Sequence, residues 1–173
     1  FMDDSTDIDL YNLEMYSTSF IYANDKDGKE VELQRLSQDA NRIIVDYDDV
    51  PEYVRMAFVC REDERFFDHK GVDFKRTFAA FANTFLHFYN TDQGGSTITQ
   101  QLVKNITKDE KKDASRKIRE IFRAMNLEKR YTKIDILGAY MNYIGFGGNT
   151  YGVQAAANKY FGKDVSQLTI AEG

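Results

Sequence analysis

Residues 62–71 read EDERFFDHKG, and residues 94–105 read GGSTITQQLVKN. RKIRE follows at 116–120 and AYMN at 139–142. All four runs fall within one chain of 173 residues, about one domain by length and enough to bury a core. Around them, from Pro51 onward, the period is helical. Asp48 or Asp49 is expected to cap a first helix, with Pro51 in its first turn and Val54, Ala57 and Phe58 turned inward. Phe74, Phe78, Phe81, Phe85 and Phe88 recur every four or three residues. They predict one apolar face on a second helix from about Asp73 to Tyr89. A third helix is expected to begin at Ser96 or Thr97. A fourth runs from about Asp113 to Arg130, with Ile118, Ile121, Phe122 and Met125 as its stripe. Thr132 and Asp135 form a capping-box pattern that opens a fifth, to about Tyr143. After the break at Gly145, Gly147 and Gly148, a sixth spans Val153 to Phe161 and stops at Gly162.

Residues 1–50 read differently. Residues 1–16 are acidic and weakly patterned, as in a tether. TSFIYA at 18–23 is β-rich and is followed by the turn residues Asn24, Asp25, Asp27 and Gly28. Lys29 to Arg35 is expected to return as a second strand, and RIIVDY at 42–47 as a third. The reading is therefore a linker with a short β element over 1–50 and a mainly α domain over 51–173. The single cysteine, Cys60, excludes an internal disulfide. No apolar run approaches the roughly 20 residues needed to span a bilayer. Both ends look cut, so any membrane anchor is expected to lie outside the chain.

The net charge of −5 conceals a division. Residues 1–55 hold 14 acidic and 5 basic side chains, whereas Lys104 to Lys133 holds 11 basic and 5 acidic ones. Such a concentration is the footprint of a phosphate or polyanion site, although a solvated helix face has the same composition. Glu62, Asp63 and Glu64 lie beside two phenylalanines, which disfavour an ionised carboxylate and raise its pKa toward that of a general base. Arg65 acts in the opposite sense. An acidic helix end paired with arginines explains the same run. The glycines before Ser96 and Thr97 open a helix start whose free N–H groups suit an anion. Ser96, Thr97, Thr99, Gln100 and Gln101 add neutral donors there, and an ordinary capped helix is the plain alternative. Glu120, four residues after Arg116, is either one end of a surface ion pair or a second site carboxylate in a basic frame. Two carboxylates with clustered cations suit chemistry on a sugar whose leaving group is a phosphate.

From about Pro51 onward the chain resembles the peptidoglycan glycosyltransferases, the transglycosylase modules of class A penicillin-binding proteins and their monofunctional relatives. EDERFFDHKG resembles the first motif of that family, GGSTITQQLVKN the second and RKIRE the third. ILGAYMN and YGVQAAANKYFGK resemble the remaining two. The resemblance implies a lysozyme-like, two-lobed helical fold with a head and a membrane-touching jaw. It implies polymerisation of lipid II, at the extracytoplasmic face of the cell membrane, onto a growing glycan carried by a polyprenyl diphosphate. By position Glu62 matches the catalytic base and Glu120 the second catalytic glutamate. Lys104, Arg116 and Lys117 match cations on the diphosphate. Asp63, Ser96, Thr97, Gln100, Tyr140 and Asn142 fall on further substrate-binding positions. The stretch from Phe74 to Phe88 matches the jaw, which favours contact with the membrane interface.

No cofactor is fixed by this resemblance, although a divalent cation, Mg or Mn, is one expectation for Glu120. Moenomycin-type phosphoglycolipids are implied inhibitors, and no nucleic-acid partner is expected. Arg61 departs from the apolar or small residue usual before the first motif. The chain also ends where the family continues into another helix, so a C-terminally truncated domain is expected. The rival readings are a lysozyme-like muramidase or lytic transglycosylase, which would cut the polymer, and a catalytically silent wall- or membrane-binding module.

Overall fold

The computed structural model describes residues 8–13, 19–36, 41–78, 95–108 and 114–173. Strands β1 (Ser19–Asn24) and β2 (Glu30–Leu36) form an antiparallel hairpin, with Asn24 opposite Glu30 and Ser19 opposite Leu36. Its turn is held by Asp25, whose side chain accepts the N–H groups of Asp27 and Lys29 at 2.9 Å each. Such short carboxylate bonds make aspartate a turn former. Strand β3 (Asn41–Arg42) is shorter than RIIVDY predicted and pairs in parallel with β4 (Thr150–Tyr151). The chain then passes through a 3-10 turn at Tyr47–Asp49.

Five helices follow: α1 (Glu52–Glu62), α2 (Ile98–Thr107), α3 (Ala114–Arg130), α4 (Lys133–Tyr143) and α5 (Val153–Phe161). Residues 74–78 are helical as well. A second 3-10 turn spans Val165–Gln167. The described part of the chain is thus mainly helical, with its antiparallel hairpin near the N-terminus. Among the described residues no helix is long and apolar enough to cross a membrane.

Two capping boxes fix the entries of α2 and α4, Thr97 with Gln100 and Thr132 with Asp135. Each satisfies two N–H groups that a helix start otherwise leaves unpaired. Gly162 ends α5 at φ 64°, in the left-handed region where a side chain is strained. The entry of α1 differs from expectation. Pro51 occupies the cap position, and Asp48 and Asp49 sit in the preceding 3-10 turn. Proline has its φ set for a helix entry, so no aspartate is needed there.

Helix α2 lies against both α3 and α4. Its Ile98, Leu102 and Val103 are buried with Ala124 and Leu127 of α3 and Ile136, Leu137, Tyr140 and Met141 of α4. Helix α3 keeps part of its expected stripe, with Ile121 and Met125 packed on the core. Ile118 and Phe122 are 55% and 54% exposed, while Glu120, Ala124 and Leu127 face inward. Those three fall at i, i+4 and i+7, a proper helical stripe. Apolarity alone missed it because one of its members is a glutamate.

The loop after α1 touches α3 through Gly71, at φ 89°. A Cβ there would stand 2.6 Å from the Ala124 carbonyl oxygen, so only glycine permits this approach. Residues 41–50 also belong to the packed body. Val50 is fully buried, Val45 packs on the core, and Arg42 lies over the rings of Tyr143 and Tyr151 at 4.6 and 5.3 Å. Of the phenylalanine stripe, Phe74 and Phe78 are described and are 62% and 73% exposed. Phe81, Phe85 and Phe88 lie outside the described residues.

Candidate active site

Glu62 is the last residue of α1. Its carbonyl accepts a bond from the Arg76 guanidinium at 2.6 Å, and its Oε2 accepts one from Gln101 Nε2 at 2.9 Å. Asp63 breaks the helix at φ −156° and ψ 71°. Its carboxylate turns inward, where Oδ2 accepts the Ile98 N–H at 3.0 Å and lies 2.9 Å from His69 Nε2. The end of α1 is thereby tied to the start of α2. The Arg65 guanidinium donates to Asp73 Oδ1 at 2.8 Å. Burial alone would raise Asp73, but the Arg76 N–H and the Arg65 charge outweigh it and hold its carboxyl below the usual range.

The start of α2 is built from polar side chains that are themselves buried. Thr97 Oγ accepts the Gln100 N–H at 3.1 Å and donates to the Gly71 carbonyl at 2.7 Å. Gln100 Oε1 accepts the Thr97 N–H at 3.0 Å, which leaves its amide N–H to donate to Glu120 Oε1 at 3.2 Å. The Lys117 ammonium lies between the same Glu120 oxygen, at 2.5 Å, and Ser96 Oγ, at 2.9 Å. Arg116 donates to Glu120 Oε2 at 3.2 Å. Glu120 is 5% exposed, so its charge is matched by two cations and an amide, as a buried carboxylate requires. Lys104 is exposed on α2, three residues after Gln101 and so on the same side of the helix.

Glu62 and Glu120 are therefore bonded to adjacent side chains of one helix, Gln101 and Gln100. Ser96, Arg116 and Lys117 join the Glu120 end. The remaining expected residues are buried. Asp63 and Thr97 are wholly buried, and their polar atoms hold helix ends. Asn142 is buried, accepts the Val45 N–H at 3.1 Å and donates to the Val45 and Gly138 carbonyls at 2.9 and 3.1 Å. All three have buried polar atoms paired within the fold, as buried polar groups generally are. Tyr140 is also fully buried, and its hydroxyl donates to Gln101 Oε1 at 3.1 Å.

The immediate partner of Glu62, Gln101, stood in the sequence only as one of several neutral donors. The doubled amide was visible there, but not which glutamate each amide serves. A divalent cation finds no fit. Among the described residues no group of three or more histidine, cysteine, aspartate or glutamate side chains could hold one, and both Glu120 oxygens already accept from neighbouring donors.

The helical domain thus sets a half-buried glutamate, Glu62, and a buried glutamate paired with two cations, Glu120, against one helix. The chain belongs to the Transglycosylase family, whose model matches residues 28–173. It is similar to penicillin-binding protein 1A of Clostridium tetani, 44% identical over 149 residues, or 84% of this chain and 19% of that protein. Penicillin-binding protein 4 of Bacillus subtilis is 40% identical over 165 residues, 95% of this chain and 26% of that protein. The monofunctional glycosyltransferase of Staphylococcus aureus strain JH9 is 48% identical over 123 residues, 71% of this chain and 45% of that protein. The chain thus spans less than half the length of each of these relatives. It is a homologue of the peptidoglycan glycosyltransferases.

Proposed function

We propose that the chain polymerises lipid II into peptidoglycan glycan strands by inverting glycosyl transfer. The observation that carries this reading is the pairing of Glu62 and Glu120 with consecutive amides of α2, next to Lys117 and Arg116. Glu62 removes the proton from the 4-hydroxyl of the acceptor, lipid II. The freed oxygen attacks the anomeric carbon of the donor glycan. The polyprenyl diphosphate leaves from the opposite face, so an α-linkage becomes β-1,4. A positioned base contributes roughly 10²–10⁴-fold. Lys104, Arg116 and Lys117, with the Ser96 hydroxyl, stabilise the negative charge that builds on the leaving group. Glu120 holds Arg116 and Lys117 in place for this.

The described helices then belong to the head of a lysozyme-like, two-lobed fold, and residues from Phe74 onward lead toward the membrane-touching jaw. The reaction takes place at the extracytoplasmic face of the membrane, where both substrates are lipid-anchored. A moenomycin-type phosphoglycolipid would compete through its phosphate.

The test is incubation of the protein and its Glu62→Gln variant with lipid II, with the products resolved by length. Polymer from the wild type and none from the variant supports the reading. Shortening of preformed glycan, with lipid II untouched, would instead favour a lytic enzyme. Binding without any turnover would mark a silent module.

A further inference from the structure

We infer that Gln101 and Tyr140 are positioning residues that divide the labour of the two Glu62 oxygens, Oε2 being held by the Gln101 amide and Oε1 taking the proton. The inference rests on the reading of Glu62 as the base. A primary amide has one accepting and one donating end. An ionised carboxylate only accepts, so the end of Gln101 that faces Glu62 is its NH₂, at 2.9 Å from Oε2. The other end, Oε1, then needs a donor, and the Tyr140 hydroxyl supplies it at 3.1 Å. Tyr140 is fully buried on α4, with its ring edge-on to Phe58 at 6.0 Å, so its hydroxyl has a fixed address. Burial, and then the Glu62 charge, push its phenol up, which keeps it a donor.

Among the described residues no hydrogen bond reaches Glu62 Oε1. In the reaction step the acceptor O–H proton passes to that oxygen as the hydroxyl oxygen forms its bond to the anomeric carbon. The bond from that carbon to the diphosphate breaks, and its electron pair leaves with the diphosphate. The Gln101 bond to Oε2 persists throughout, so the carboxyl does not rotate as it changes charge. Geometric control of this kind is worth large factors in rate, because small misplacements of reacting groups are costly.

The experiment is steady-state polymerisation of lipid II by Gln101→Ala, Tyr140→Phe and the double variant of the full chain, with Glu62→Gln as reference. Gln101→Ala should lower kcat by about tenfold or more with KM within about twofold, the signature of an interaction used in the transition state. Tyr140→Phe should lower kcat by about fivefold while its ring packing and melting temperature stay close to wild type. The double variant should be no slower than Gln101→Ala, since residues acting through one another are not additive. Should Gln101→Ala fail to fold, Gln101→Leu fills a similar volume and replaces it.

An unchanged kcat in the Gln101 variants overturns the inference. So does a double variant whose losses multiply, because Tyr140 would then not act through Gln101. If either occurs while Glu62→Gln is inactive, the base assignment stands and only the relay falls. An active Glu62→Gln variant sinks both.

Discussion

The two glutamates of the site have different neighbours. Glu62 is half-buried, bound at its main chain by Arg76 and at its carboxylate by Gln101. Its replacement by glutamine is nearly isosteric and should cost at least about 100-fold in polymerisation, the scale of a lost general base, while a thermal melt moves little. Glu120 differs, because both its oxygens accept from cations. Lys117→Ala should weaken binding of a diphosphate-bearing analogue or of moenomycin, and isothermal titration would read the loss. Unchanged affinity would remove Lys117 from the leaving-group site. Asp73 adds a pH effect. Its carboxyl is held below the ordinary value, so the folded state gains from it above that value. That stability is lost as pH falls through the lowered pKa. Asp73→Asn should therefore flatten the acid limb of a stability-against-pH curve, measured by chemical denaturation. A limb of unchanged slope would show that Asp73 is not its source.

At the scale of elements, one short junction positions everything else: the end of α1, the Gly71 loop and the start of α2. Asp63→Ala would leave the Ile98 N–H and His69 without their shared acceptor, at about 1–3 kcal/mol for each unpaired buried group. Gly71→Ala would drive a methyl into the Ala124 carbonyl from a left-handed backbone and should cost a similar amount. Both should lower the melting temperature and the activity together, unlike Glu62→Gln. The start of α2 and the limits of α4 and α5 were legible in the sequence because short-range chemistry sets them, as with Thr132 and Asp135 and with Gly162. The inward place of Glu120 on α3 was not legible. An apolar periodicity cannot see a glutamate that is buried with two cations. The cap of α1 went to Pro51 for a reason equally local, but aspartates nearby offered a competing signal. Glu62, Ser96, Glu120, Arg116 and Lys117 stood out as candidates by charge and spacing, and the motif resemblance carried their choice over a plain ion-paired helix. The burial of Asp63, Thr97, Gln100 and Asn142 was not, since polar type suggests exposure until the partners are known.

For the molecule as a whole, the N-terminal third is less separate than its acidic composition suggested. Asn142 grips the backbone of Val45, and β3 pairs with β4 more than a hundred residues away. Pairing at such separation leaves no local trace in the sequence. On the outside, Phe74 and Phe78 are exposed beside Lys75, an arrangement that suits insertion into a lipid interface. Changing both to Ser should reduce liposome binding several-fold in a flotation assay without lowering the melting temperature, because little of either ring is buried in the fold. A large fall in melting temperature with liposome binding intact would assign them to the interior instead. There remains what it means that both glutamates take their bearings from neighbouring side-chain amides of α2. Thermal breathing of α1 against α3 would, with separate supports, change the gap between the proton-taking and the leaving-group ends. Here both ends are tied to one helix, through amides one residue apart. Under the proposed reaction, the same helix would set that gap in every cycle.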